Sequence, residues 1–192
     1  MTGTRPAVFF DRDGVLSEAV LVDGRPYSPR SETELRLEQG AADVCKQFRD
    51  AGVPMVMITN QPEVARGTLT RETVDRLNAL LKKMLWLDAV YVCPHDDGDG
   101  CACRKPAPGM LFDAARDLGL DLTHSVVVGD RWRDVSAGRA AGCATVFVDR
   151  GYLERRPEDA DLVVAELPEA VNWIMTRVRS GHRGGDGLAI TH

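Results

Sequence analysis

Short apolar runs alternate with helix-period segments along this chain, and three of the runs end in acidic or amide side chains. Ala7 to Phe10 closes on Asp11-Arg12-Asp13-Gly14. Met55 to Ile58 leads into Thr59-Asn60-Gln61. Ser125 to Val128 leads into Gly129-Asp130, with Asp134 four residues further on. Runs at Ala89 to Val92, Ala144 to Val148 and Leu162 to Val164 also read as strands. Between them, apolar residues at three-to-four spacing predict helices over Gly40 to Asp50, Pro108 to Leu118, Trp132 to Ala141 and Leu167 to Val178. A further helix is predicted behind a Thr70 cap, with Val74, Leu77, Leu80 and Leu81 on its apolar side. Strands separated by helices form parallel sheets covered on both sides. The expected fold is therefore α/β: a Rossmann-like, mainly parallel sheet with helices on both faces. In such a sheet the acidic groups named above share one edge, where sites form beyond the carboxyl ends of the strands.

The 192 residues suit one domain, expected over residues 1–179, with a Gly-rich tail over 180–192 expected to be disordered. Twenty-four Lys and Arg against 29 Asp and Glu give a net charge of −5, which disfavours a general nucleic-acid binder. Spanning a bilayer takes about 20 consecutive apolar residues, and no run approaches that. Nor is there a charged-then-apolar leader. The five cysteines are odd in number and three crowd into one loop, which argues against a disulfide framework. A cytoplasmic protein without membrane or nucleic-acid partners is expected. Residues 14–36 are polar, with Gly24, Pro26, Ser28 and Pro29, and read as a long irregular loop.

Asp11, Asp13 and Asp130 in one crevice would repel one another unless a hard dication lay among them, and oxygen ligands of this kind suit Mg²⁺. Arg104-Lys105, with Arg66, Arg131 and Arg133, would add cations beside those acids. Acids for a metal beside Lys and Arg are the equipment of phosphoryl transfer, in which a carboxylate can itself be the nucleophile. A single Asp after a strand is as readily a cap or turn residue. That explanation handles their joint occurrence at several strand ends poorly. Cys93, His95, Cys101 and Cys103 make a normal tetrahedral Zn²⁺ set, closed to water and so structural; a redox pair at Cys101 and Cys103, or free thiols, is the alternative. Cys45 and Cys143 read as buried small hydrophobes, Trp86 and Trp173 as core residues, and His124 as a solvated turn residue.

Phe10-Asp11-Arg12-Asp13-Gly14, Thr59-Asn60-Gln61, Lys105-Pro106 and Gly129-Asp130 with Asp134 resemble, in type, order and spacing, the haloacid dehalogenase superfamily of phosphohydrolases. Ala65-Arg66-Gly67, Cys93-Pro94-His95 and the run from Cys101 to Met110 carry a closer similarity to its heptose-1,7-bisphosphate and histidinol-phosphate phosphatases. The resemblance implies a capless member with a zinc-binding loop at residues 93–103. It implies Asp11 as nucleophile and Asp13 as general acid and then base. It implies Mg²⁺ held by the Asp11 carboxylate, the Asp13 backbone carbonyl and the Asp130 carboxylate, with Asp134 supporting the metal through water or orienting Lys105. Thr59 and Lys105 would hold phosphoryl oxygens, and Asn60, Arg104 and Arg131 would contact substrate. The implied activity is Mg²⁺-dependent removal of the 7-phosphate from D-glycero-D-manno-heptose 1,7-bisphosphate through an aspartyl-phosphate. Histidinol phosphate is the alternative substrate, and a non-catalytic zinc-stabilised module the remaining alternative. The expected partner is a small phosphorylated metabolite and the expected state a monomer. Substrate choice would rest on three short segments, residues 15–36, 61–67 and 94–104.

Overall fold

The computed structural model describes residues 4–180; the predicted tail, apart from Ser180, lies outside them. Six strands form one sheet: β1 (Val8–Phe10), β4 (Met55–Asn60), β5 (Ala89–Cys93), β6 (Val126–Gly129), β7 (Ala144–Val148) and β8 (Leu162–Val164). Their spatial order is β5-β4-β1-β6-β7-β8, and every neighbouring pair is parallel. The chain builds outward from β1 through β4 to β5, then returns to the other side of β1 and builds outward again. A reversal of that kind leaves a crevice at the carboxyl ends of the strands.

Five helices cover the sheet: α1 (Ala41–Asp50), α2 (Arg71–Leu85), α3 (Gly109–Leu118), α4 (Trp132–Ala140) and α5 (Val171–Ser180). Val44, Cys45 and Phe48 of α1, Leu77, Leu81 and Leu85 of α2 and Ile174 of α5 pack with Val8 and Phe10 on one face. Met110, Leu111 and Ala114 of α3 and Ala137 of α4 pack with Phe9 and Ile58 on the other. Alternate residues of β1 thus serve opposite cores, as strand pleating requires. The helix signals act as anticipated: Thr70 Oγ1 accepts from the Thr73 amide at 3.1 Å, and Gly119 adopts the left-handed conformation that ends α3. No described helix is long and apolar enough to cross a membrane.

Four expectations need correction. The 14–36 segment carries an antiparallel hairpin, β2 (Val20–Val22) with β3 (Arg25–Tyr27). Its turn is Asp23-Gly24, both at positive φ (50° and 73°), the two-residue turn whose twist matches paired strands. Strand β4 runs two residues past Ile58 and so contains Thr59 and Asn60. Residues Leu167–Ala170, with Pro168, form a 3₁₀ turn ahead of α5 rather than its first α-helical turn. Trp86 is not in the core: it ends α2 in the left-handed conformation, 47% exposed, with the Arg49 guanidinium 4.0 Å from its ring centroid.

Candidate active site

The carboxyl edge gathers the anticipated acids around one lysine. Asp11 follows β1, and its amide donates to the Val128 carbonyl of β6 at 2.9 Å, which fixes the chain as it leaves the sheet. Lys105 Nζ lies 2.8 Å from Asp11 Oδ1 and 2.5 Å from Asp134 Oδ1, and donates to the Ile58 carbonyl at 3.0 Å. Asp11, Asp130, Asp134 and Lys105 are all under 10% exposed. Two glycines make room for this crowd. A Cβ on Gly14 (φ +85°) would collide with the Asp130 carboxylate, and one on Gly129 with Asp134.

One cation faces three buried carboxylates, and the imbalance shows in their protonation. Burial, reinforced by Asp134 and only partly opposed by Lys105, raises the Asp11 pKa to about 6. Asp130 is raised well above the usual carboxylate range, first by burial and then by Asp11 and Asp134. Burial works against the charge on Lys105, but Asp11 and Asp134 outweigh it and the lysine's pKa is raised. The Asp130 carboxylate is buried with the neutral Tyr152 hydroxyl beside it, and Asp134 Oδ1 has only Lys105, which it shares with Asp11. Asp11, Asp130 and Asp134 bring ligand oxygens within 4.8 Å of one another. Three buried carboxylates short of positive charge in this arrangement fit a hard divalent cation. The sequence expectation left Asp134 with two roles; the ion pair to Lys105 is the contact the structure makes.

Asp13 stands apart from that cluster. Its carboxylate receives Arg12 Nε at 2.9 Å and Nη2 at 3.0 Å, Ser28 Oγ at 2.8 Å, Ser17 Oγ at 3.1 Å and Gln61 Nε2 at 3.2 Å. Thr59 is 1% exposed, and its Oγ1 accepts from Gln61 Nε2 at 2.8 Å.

Asp11, Asp13, Thr59, Lys105 and Asp134 open onto a cavity of about 360 Å³, inside the ~300–1,000 Å³ range of small-molecule sites. The anticipated substrate contacts line it too, each tied to a partner within the protein. Asn60 exchanges two hydrogen bonds with the Lys105 backbone, at 3.0 and 3.1 Å. Arg104 binds Asp97 at 2.8 Å and the His95 carbonyl at 3.0 Å. Arg131 forks onto Glu154 at 2.7 and 2.5 Å. Arg133, anticipated among the cations, and Arg25, Pro26 and Ser28, within the anticipated 15–36 segment, also line the cavity; Leu153 and Glu154, from the loop after β7, are walls the sequence reading missed. That loop follows a strand at the site edge, so the strand-end rule itself pointed to it.

The cysteine loop forms the second cluster. Cys93 Sγ lies 3.6 Å from both His95 Nδ1 and Cys101 Sγ, and Cys103 Sγ lies 3.4 Å from His95 Nδ1 and 3.5 Å from Cys101 Sγ. Four ligands about 2.0–2.3 Å from one tetrahedral centre lie roughly 3.4–3.8 Å apart. The thiols are free, and the Cys101–Cys103 separation is far beyond the ~2.05 Å of a disulfide. Burial raises the Cys93 pKa, whereas hydrogen bonds from Cys103, the Arg104 amide and Cys93 outweigh the smaller burial of Cys101 and lower it to about 7.

A parallel sheet that sets an aspartate after its first strand, a hydroxyl near the end of its second and a buried lysine between that aspartate and another defines a phosphohydrolase of the haloacid dehalogenase type. A HAD-hydrolase-like family model matches residues 102–170. The D-glycero-D-manno-heptose-1,7-bisphosphate 7-phosphatase of Thermosynechococcus vestitus is 36% identical, over 91% of this chain and 97% of its own length. The Yersinia pestis D-glycero-beta-D-manno-heptose-1,7-bisphosphate 7-phosphatase is 35% identical, over 91% and 92%. A crystal structure of the D,D-heptose 1,7-bisphosphate phosphatase from B. bronchiseptica, complexed with magnesium and phosphate, superposes with a TM-score of 0.77 at 31% identity, covering 89% of this chain and 98% of that one. The chain belongs to this family of sugar bisphosphate phosphatases within the haloacid dehalogenase superfamily.

Proposed function

We propose that this protein removes the 7-phosphate from D-glycero-D-manno-heptose 1,7-bisphosphate, with Mg²⁺ at the carboxylates and Zn²⁺ in the cysteine loop. The observation that carries the reading is Lys105 between Asp11 and Asp134, with the buried Asp130 carboxylate in the same cluster, at the head of the cavity. Asp11 attacks phosphorus; its oxygen forms the new bond as the bond to the sugar oxygen breaks. Lys105 and Thr59 hold the phosphoryl oxygens. A sugar alkoxide leaves poorly, so Asp13 gives it a proton and then takes one from the water that cleaves the aspartyl-phosphate. Asp11, Asp130 and the Asp13 carbonyl would hold Mg²⁺, which supplies positive charge against the anionic phosphoryl group. The cysteine loop, held by zinc, presents Arg104 and Lys105 to the site.

The rim is rich in arginines, which suits a second phosphate. Of the acids that could greet an amino group, Asp96 and Asp97 are bound by Arg66 and by Arg104 with Arg133, while Glu63 stands in the cavity wall. Arginines from three segments are thereby held at the cavity, suited to a substrate anionic at both ends. The test is phosphate release with Mg²⁺ from both anomers of the heptose bisphosphate, fructose 1,6-bisphosphate and histidinol phosphate. A preference of about a hundredfold in kcat/KM, near 2.7 kcal/mol, for a heptose anomer supports the assignment. A preference for histidinol phosphate overturns the substrate, and no release from the folded protein overturns the chemistry. We infer a cytoplasmic location for a small metabolic enzyme of this kind.

A further inference from the structure

Arg12 lies between two proposed catalytic aspartates, yet among the described residues it is the largest fully buried side chain, 0% exposed. Taking a guanidinium out of water costs several kcal/mol, and an apolar side chain of similar size often serves stability as well or better. Stability alone therefore gives little reason for an arginine here. Its fork closes on the carboxylate of its own sequence neighbour, Nε to Asp13 Oδ1 at 2.9 Å and Nη2 to Oδ2 at 3.0 Å. Nη1 is anchored on Asn78 Oδ1 at 2.9 Å, in the middle of α2. Nη2 also reaches Gln61 Oε1 at 3.0 Å, and Gln61 Nε2 binds both Asp13 Oδ2 and Thr59 Oγ1. A planar donor fork fixes both the place and the plane of a carboxylate, which a lysine's point charge does not.

We propose that Arg12 is the positioning residue of the leaving-group step: braced on Asn78, it sets where the Asp13 carboxyl group stands, and through Gln61 couples it to Thr59. The proposal rests on the phosphatase reading. In the transfer the Asp11–phosphorus bond forms, the phosphorus–oxygen bond to substrate breaks, and the Asp13 proton goes to the departing oxygen. Arg12 acts on this step through the Asp13 carboxyl group, whose two oxygens it holds, and the geometry of that proton transfer depends on it.

Two leaving groups separate this role from a structural one. A sugar alkoxide needs the proton, whereas nitrophenolate departs with little help. Arg12→Lys and Asn78→Leu are compared with wild type and Asp13→Asn on the heptose bisphosphate and on p-nitrophenyl phosphate, reading the first-turnover burst for the latter. Arg12→Lys is expected to lose about 100-fold in kcat on the sugar phosphate with KM within threefold, and under about fivefold in the nitrophenolate burst rate. Asp13→Asn should show the same split, enlarged. Asn78→Leu, which keeps the guanidinium, should show it reduced to about tenfold, and it decides the matter on the same ratio should Arg12→Lys not fold. Equal losses on both substrates, a change in KM alone, or no change overturns the proposal while leaving the phosphatase reading intact. A wild type silent on both substrates overturns the two together.

Discussion

Two ligand clusters share one edge of the sheet and solve opposite problems. The carboxylate cluster is buried and outnumbers its single lysine three to one, and Asp130 has only the neutral Tyr152 hydroxyl beside it. The thiol cluster has only Cys93 fully buried, and its neighbouring ligand atoms stand 3.4–3.6 Å apart, the edges of a tetrahedron. The first site opens onto the cavity and holds its charges in tension. The second encloses a centre on four sides and leaves no position for a reacting group. The stretch from Cys103 to Lys105 joins them, so the quiet cluster sets the reach of the active one.

The largest effect that would break this contrast is at Asp11. Asp11→Asn should lower kcat by at least about 10⁴-fold, since the attacking oxygen is gone. It should leave the melting temperature equal or higher, because one buried negative charge is removed. Steady-state phosphate release and a thermal melt check both; substantial turnover would sink the nucleophile assignment. Next comes Lys105→Met, which leaves Asp11 and Asp134 without their cation. Stripping one partner from buried ions costs about 3–5 kcal/mol, expected as a lower denaturation midpoint that Mg²⁺ partly restores. The same substitution in a merely solvated lysine would be silent.

Much of this contrast was legible in the sequence, because each cluster has a local signature. Strand period followed by Asp11, Thr59 or Asp130 placed three groups at one edge, and the Cys-x-His and Cys-x-Cys spacings placed the tetrahedron. What escaped lacks period or proximity. The β2–β3 hairpin hid in a polar stretch, although Asp23-Gly24 is a strong two-residue turn signal. Glu154 is 23 residues from Arg131, and nothing local couples them. Trp86 continued the helical period, but the chain left the helix at that residue and turned the ring outward. Arg12 stood in the sequence only as the residue between two acids; its burial depends on Asn78 and Gln61, 66 and 49 residues away.

Removing zinc sharpens the comparison from the other side. Chelation, or Cys101→Ser, should lower the melting temperature more than removal of Mg²⁺ does, by several degrees. It should also cost about tenfold in kcat, through displacement of Arg104 and Lys105. Unchanged stability after verified zinc loss would end the structural role. The carboxylate cluster instead answers to pH. Asp11, raised from 3.8 to about 6, contributes stability in its protonated form below about pH 4 and loses it as pH rises through about 6; Asp130 shifts the same way. A dication must displace those protons. The thermal stabilisation by Mg²⁺ should accordingly be small at pH 5 and grow to a plateau above pH 7, a trend that scanning fluorimetry can follow. An Mg²⁺ effect independent of pH would mean that the metal binds elsewhere.

The smallest expected effect tests the rim that serves the active cluster. Arg131 is bound through Nε and Nη2 to Glu154, which leaves Nη1 to meet an anion in the cavity. The pair is partly exposed, the arginine side chain at 37%, so its worth is about 1 kcal/mol or less. Glu154→Gln weakens the fork and lets the guanidinium wander. KM for the bisphosphate should rise about threefold, near 0.7 kcal/mol, with kcat unchanged, because Asp11, Asp13 and Lys105 are untouched. A fall in KM would show the reverse relation, with Glu154 competing against the substrate for Arg131. A fall in kcat would extend the tension of the carboxylate cluster out to the rim. An unchanged KM would remove Arg131 from the substrate contacts and leave Arg104 and Arg133, tied by Asp97 to the thiol loop, as the cations that face the far end of the sugar.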